Sequence, residues 1–76
     1  MVENFGSYLK HERELRGVSL EEISGVTNIP LRFLKALEEN CFDELPGEVF
    51  IKGYIRSYAN IIGSDFEEML NIYKEF

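Results

Sequence analysis

His11, Cys41 and fourteen carboxylates are the side chains of this sequence that could move a proton, attack a carbon or hold a metal ion. Covalent catalysis needs a nucleophile with a base beside it, and a metal needs ligands clustered at defined spacing. His11 lies between Lys10 and Glu12 on a stretch with a solvated pattern, and reads as a surface histidine. Cys41 has no basic neighbour in sequence to activate its thiol. The carboxylates are scattered over helix starts and polar faces, as in any acidic soluble domain. No glycine-rich phosphate loop is present. We therefore expect no enzyme, metal or cofactor, and look for the chemistry of binding.

That chemistry is concentrated in residues 50–63, FIKGYIRSYANIIG. Placed at about 100° per residue, Ile55, Tyr58 and Ile62 fall within about 40° of Ile51, which defines a core face. Lys52, Arg56 and Asn60 lie on the far flank, where solvent is expected. Phe50, Gly53, Tyr54 and Ser57 form a second stripe on the flank opposite Lys52, in which large aromatics alternate with very small residues. Two readings of this stripe stand side by side. In one, Phe50 and Tyr54 edge the domain's own core and Gly53 admits a neighbouring helix. In the other, the aromatics are anchors for a partner and the glycine lets it approach closely. A chain this short has little material to cover an apolar arc spanning about half of a helix's circumference.

The elements that hold this stretch follow from local signals. Five helices are expected within one domain over residues 1–76, at about 5–16, 20–27, 30–39, 48–62 and 65–75. Phe5, Tyr8, Leu9 and Leu15 give the first its apolar side, and Gly17 stops it in a left-handed conformation. Ser19 and Glu22 form a capping box for the second, which turns Leu20, Ile23 and Val26 inward. Pro30 opens the third, with Leu34 and Leu37 inward beside Leu31 or Phe33. Phe42 and Leu45 plug a Pro-Gly loop onto the core. Ser64 and Glu67 read as a second capping box, and Phe66, Met69, Leu70 and Tyr73 as the stripe of the fifth helix. No strand pattern competes, so the fold class is a compact all-α domain.

Composition bounds the partners. Fourteen acidic residues against eight basic ones leave a formal net charge of −6, which opposes general affinity for nucleic acid or an anionic membrane. One cysteine allows no internal disulfide. No run approaches the roughly 18 apolar residues of a membrane span. MVENFGSYLKHE lacks the apolar core of a leader, and the chain reads as a fragment of a longer protein.

Residues 6–40, GSYLKHERELRGVSLEEISGVTNIPLRFLKALEEN, resemble the helix-turn-helix of the lambda-repressor-like, or XRE, superfamily. The continuation FDELPGEVFIKGYIRSYANIIGSD resembles a narrower group within it, the cytoplasmic N-terminal domain of the bacterial cell-shape protein RodZ. Phe42-Asp43-x-Leu45-Pro46, followed by Phe50-x-x-Gly53-Tyr54-x-Arg56-x-Tyr58-Ala59, carries that likeness. The resemblance implies a monomeric adaptor that binds the actin-like filament protein MreB at the inner face of the bacterial membrane. The membrane span would belong to the remainder of the protein, with no membrane contact from this domain. It assigns the contact to Phe50 and Tyr54, with Gly53, Ser57, Lys52 and Arg56 around them. Arg32, Phe33 and Lys35 of the third helix would extend the surface. It also pairs Arg13 with Glu38 as a structural ion pair. The same fold invites DNA reading by the start of the third helix. Of Pro30, Leu31, Arg32 and Phe33 there, only Arg32 could read a base, and Glu21 and Glu22 would repel a phosphate. An XRE-type transcription regulator is thus the alternative, and a homodimer through the stripe a third.

Overall fold

Asn4 starts the first helix: its side-chain oxygen accepts the backbone N–H of Ser7 at 2.9 Å, and α1 runs Phe5–Leu15. The computed structural model describes residues 4–75; residues 1–3, at the head of the stretch read above against a leader, and Phe76 lie outside them. Gly17, at φ +66°, turns the chain out of α1. The Ser19 hydroxyl accepts the Glu22 N–H while the Glu22 carboxylate accepts the Ser19 N–H, both at 3.1 Å, and this reciprocal cap opens α2, Leu20–Thr27. Asn28 closes α2 in the left-handed region, and α3, Leu31–Glu38, follows directly. The turn between them is tied down by Ser24 and Thr27, whose hydroxyls engage the Ile29 carbonyl and N–H. A single 3-10 turn, Phe42–Glu44, leads to α4, Glu48–Ile62, and α5, Phe66–Glu75.

Phe5, Leu9, Ile23, Leu34, Leu37, Ile55 and Met69 meet in one core, joined by Ile51, Tyr58 and Ile62 from α4. Phe42 and Tyr73 seal its edge against Phe5, with ring centroids 5.2 to 6.1 Å apart. Three expectations need correction. Leu15 and Val26 are exposed rather than inward. A three-residue step turns a helix by about 300°, so the series Leu20, Ile23, Val26 drifts off the core face, and buried Ile29 fills the space below. Leu15 is the last residue of α1, on the same flank as half-buried Tyr8. Ser64 does not cap α5. Asp65 does, accepting the N–H groups of Glu67 and Glu68, while the Ser64 hydroxyl donates to Glu12 of α1.

The tightest contact lies where α1 crosses the end of α3. A Cβ on Gly6 would stand 2.1 Å from the Glu38 carbonyl oxygen, so only glycine fits there. The approach lets Asn40 accept the Gly6 N–H at 2.9 Å and donate to Asn4 at 2.8 Å. One side chain thus satisfies a free donor of the α1 N-terminus and fastens its cap. We expect Gly6→Ala to destabilise the domain by about 3 kcal/mol, from overpacking against backbone that cannot move away. Urea unfolding checks this; a midpoint unchanged from wild type means the helices separate freely.

Candidate protein-docking site

The site is a row of aromatic rings across two helices. On α4, Phe50 is 54% exposed and Tyr54 is half-buried, with ring centroids 6.4 Å apart. Phe33 of α3 stacks on Tyr54 at 5.9 Å with planes 26° apart, and the Arg32 guanidinium carbon lies 4.8 Å from the Phe33 centroid. Arg32, Phe33, Tyr54 and Phe50 thus follow one another in space, cation to ring to ring to ring. Ser57 is half-buried on the same stripe. Gly53 is exposed, and a Cβ there would meet nothing within 4 Å. It therefore admits no helix of this domain, which removes the reading of Gly53 as a packing glycine. What it leaves is low ground beside two aromatic anchors.

The structure does not bring every expected residue to this row. Arg56 lies over the Phe66 ring at 4.5 Å, fastening α4 to α5. Lys52 lines a groove on the α5 side of α4. Lys35 lines another depression with Lys10, Leu20 and Glu39. Lys52 and Arg56 are thus on the other flank of α4, as their angular positions require, and are not the rim of the aromatic row. Among the described residues no cluster of three or more His, Cys, Asp or Glu side chains could hold a metal ion. Partial burial, then Glu44, Glu39 and Asp43, push the Cys41 thiol up, away from reactivity.

Beneath the row, α4 is held by a charged network. Arg13 Nε lies 2.7 Å from Glu38 Oε2 and Nη2 lies 3.1 Å from Oε1, a two-pronged pair whose side chains are 12% and 6% exposed. Arg13 Nη1 also donates to the Val18 carbonyl at 3.0 Å. The Tyr58 hydroxyl completes the network, sharing its one proton between Glu38 Oε2 and the Leu9 carbonyl, the latter at 3.0 Å. Burial first, and the bond to Glu38 second, hold the Tyr58 hydroxyl far above the usual phenol range. The bond to Glu38 raises the Arg13 guanidinium further above its ordinary value. Sequence reasoning placed Tyr58 in the core but not in this network, because a tyrosine at a core position gives no sign of where its hydroxyl goes.

A tight turn between α2 and α3 inside a five-helix all-α domain defines the class as a helix-turn-helix domain. The family described as helix-turn-helix domain matches residues 8–69, and the chain belongs to it. It is homologous to the cytoskeleton protein RodZ of Streptococcus pneumoniae (strain ATCC BAA-255 / R6), 32% identical over 68 residues that cover 90% of this chain and 25% of that protein. It is 33% identical over 58 residues to the uncharacterized membrane protein YmfM of Bacillus subtilis (strain 168), covering 76% of this chain and 20% of that one. The chain thus spans a quarter or less of the length of these curated relatives. Among solved structures, YmfM of Staphylococcus aureus, a membrane protein for which DNA binding is conjectured, superposes with a TM-score of 0.85 at 30% identity, covering 96% of this chain and 89% of that one. A chain from the complex in which bacterial actin MreB assembles with the cell shape protein RodZ superposes with a TM-score of 0.82 at 37% identity, covering 93% and 87%. No helix among the described residues is long and apolar enough to cross a membrane.

Two outcomes follow from the site. Gly53→Ala replaces an exposed mid-helix glycine where space is open, so stability rises by about 0.5–1 kcal/mol in urea unfolding. The second is alkaline. Tyr73 donates to Glu48 at 2.8 Å, and partial burial with that bond leaves its hydroxyl pushed up to about 12. Tyr58 shifts in the same direction. Above pH of about 10 the unfolded chain loses these protons while the folded one keeps them, so stability falls as pH rises from there. Urea midpoints measured from pH 9 to pH 12 should decline, and less steeply in Tyr73→Phe; equal slopes would remove Tyr73 from the account.

Proposed function

We propose that this domain is a non-enzymatic adaptor that binds an MreB-type actin-like filament and links it to the bacterial membrane for cell-shape control. The observation that carries the reading is the row of exposed Phe50 and half-buried Tyr54 and Phe33 beside the open Gly53, on a domain homologous to RodZ. Aromatic side chains supply large rigid contact area, and the glycine leaves room for a partner's backbone between the anchors. The similarity to a chain from the MreB–RodZ complex supports the choice of partner. In this reading Arg32 is the rim cation, while Arg13 and Glu38 act only through the fold.

The domain works at the inner face of the membrane, anchored by another part of its parent protein. Both that location and the membrane link of YmfM-type relatives are consistent with the absence of a spanning helix among the described residues. Tethering lets a weak single contact suffice, because a polymer offers many sites at high effective concentration. The DNA reading draws on the conjecture attached to the Staphylococcus aureus relative. Against it, Phe33 at the start of α3 is stacked against Tyr54, Arg32 lies over Phe33, and Glu21 and Glu22 are exposed at the start of α2.

Co-sedimentation with MreB polymer tests the site. The wild-type domain should pellet with polymer, and Phe50→Ala/Tyr54→Ala should lose at least about tenfold in affinity while keeping its circular dichroism spectrum. Gly53→Gln should fold normally and still bind poorly, since its bulk meets only the partner. Unchanged pelleting by both folded variants would sink the site. A competitor-resistant gel shift at physiological salt would instead favour the regulator.

A further inference from the structure

The other flank of α4 carries a feature that the aromatic row does not use. The start of α4, the end of α5 and the 3-10 turn enclose an open groove of about 480 Å³, within the range of ligand-binding clefts. Phe42, Val49, Leu70 and Tyr73 supply its apolar lining. Val49 is 83% exposed, the most exposed large apolar side chain of the described residues, and nothing in the core calls for it. Lys52 and Lys74 line the same groove.

The charge pattern says what the groove can take. Of the eight basic residues, Arg13 and Arg16 are spent on Glu38 and Glu12, and Arg32 and Arg56 lie over Phe33 and Phe66. Of the four lysines that remain, two line this groove, on a chain whose formal net charge is −6. Among the described residues neither lysine forms an ion pair. The one carboxylate of the lining, Glu48, already accepts the Tyr73 hydroxyl at 2.8 Å. The groove therefore offers an apolar floor and two ammonium donors against one carboxylate, an excess of one positive charge.

We propose that this groove is a second docking site, which takes a peptide segment of a partner protein with an apolar anchor beside one or two carboxylates. The apolar side chain fills the space over Phe42, Val49 and Leu70, and the carboxylates meet Lys52 and Lys74. On α4, Lys52 is about 160° around the helix from Tyr54, so the groove and the aromatic row face apart and can be occupied together. A domain with two such sites can bridge two partners. The inference does not rest on the identity of the partner at the aromatic row.

The test is selection from a phage-displayed random heptapeptide library on the wild-type domain, followed by fluorescence anisotropy with the selected peptides. Enriched peptides should combine Leu or Phe with Asp or Glu. Their affinity should fall at least about tenfold in Lys52→Glu/Lys74→Glu and in Val49→Asp, and stay within about twofold in Phe50→Ala/Tyr54→Ala. All substituted groove residues are exposed, and circular dichroism checks that each variant is folded. No enrichment over a control protein, enrichment of basic peptides, or binding that survives in folded Lys52→Glu/Lys74→Glu overturns the proposal. Peptides lost only in Phe50→Ala/Tyr54→Ala also overturn it, while leaving the proposed function standing.

Discussion

The bond from Tyr58 to the Arg13–Glu38 pair is the constraint on which the rest of this domain depends. The pair by itself joins α1 to α3; the hydroxyl brings in α4. Two charged side chains are taken almost out of water, and each remaining polar atom near them is engaged: Val18 and Leu9 carbonyls accept from Arg13 and Tyr58. No buried side-chain polar atom of the described residues lacks a partner. Such a network is directional in a way that apolar packing is not. Removing Arg13 or Glu38 leaves the other charge uncompensated, which typically costs about 3–5 kcal/mol, a large part of the stability of a small domain. It also sets the rotation of α4 about its axis. With Tyr58 turned inward to Glu38, Phe50 and Tyr54 have to face outward along one flank and Lys52 along the other.

That rotation makes one helix serve three purposes. Its inner face builds the core through Ile51, Ile55 and Ile62. One flank carries the aromatic row, to which α3 adds Phe33. The other flank is fastened to α5 by Arg56 on Phe66 and by Glu48 with Tyr73, and leaves a groove between them. The helix-turn-helix arrangement is kept, but the leading turn of α3 is occupied by an aromatic stack where a DNA reader needs free polar side chains. That turn of α3 thus presents stacked rings and one arginine, in a chain whose formal net charge of −6 opposes polyanions.

Much of the fold was legible because it rests on short-range signals. The capping box at Ser19–Glu22, the left-handed Gly17 and the angular split of α4 all depend on residues within one or two turns of each other. The misses have two causes, contacts between residues distant in the chain and drift along a helix. Ser64 was assigned to the α5 cap, but it is drawn to Glu12, 52 positions away in the chain. Val26 is carried off the core face of α2 by the helical step itself, and Leu15 lies at the very end of α1. Gly6 gave no local sign of its role, since the atom that forbids a side chain there is the Glu38 carbonyl. Of the candidate site, the α4 stripe was readable by periodicity, whereas the stacking of Phe33 on Tyr54 and the departure of Lys35 needed the relative placement of α3 and α4.

The sequence by itself determined five helices, their faces, the acidic charge and the likeness to a known family, because periodicity, capping and composition are properties of the chain alone. Only the tertiary structure decided which apolar face stays uncovered. Gly53 was compatible with a buried crossing or an open surface, and the choice lay with helices that either approach it or do not. They do not, because the Arg13–Glu38–Tyr58 network draws α1 and the end of α3 to the inner face of α4, where the ion pair and the core are buried together.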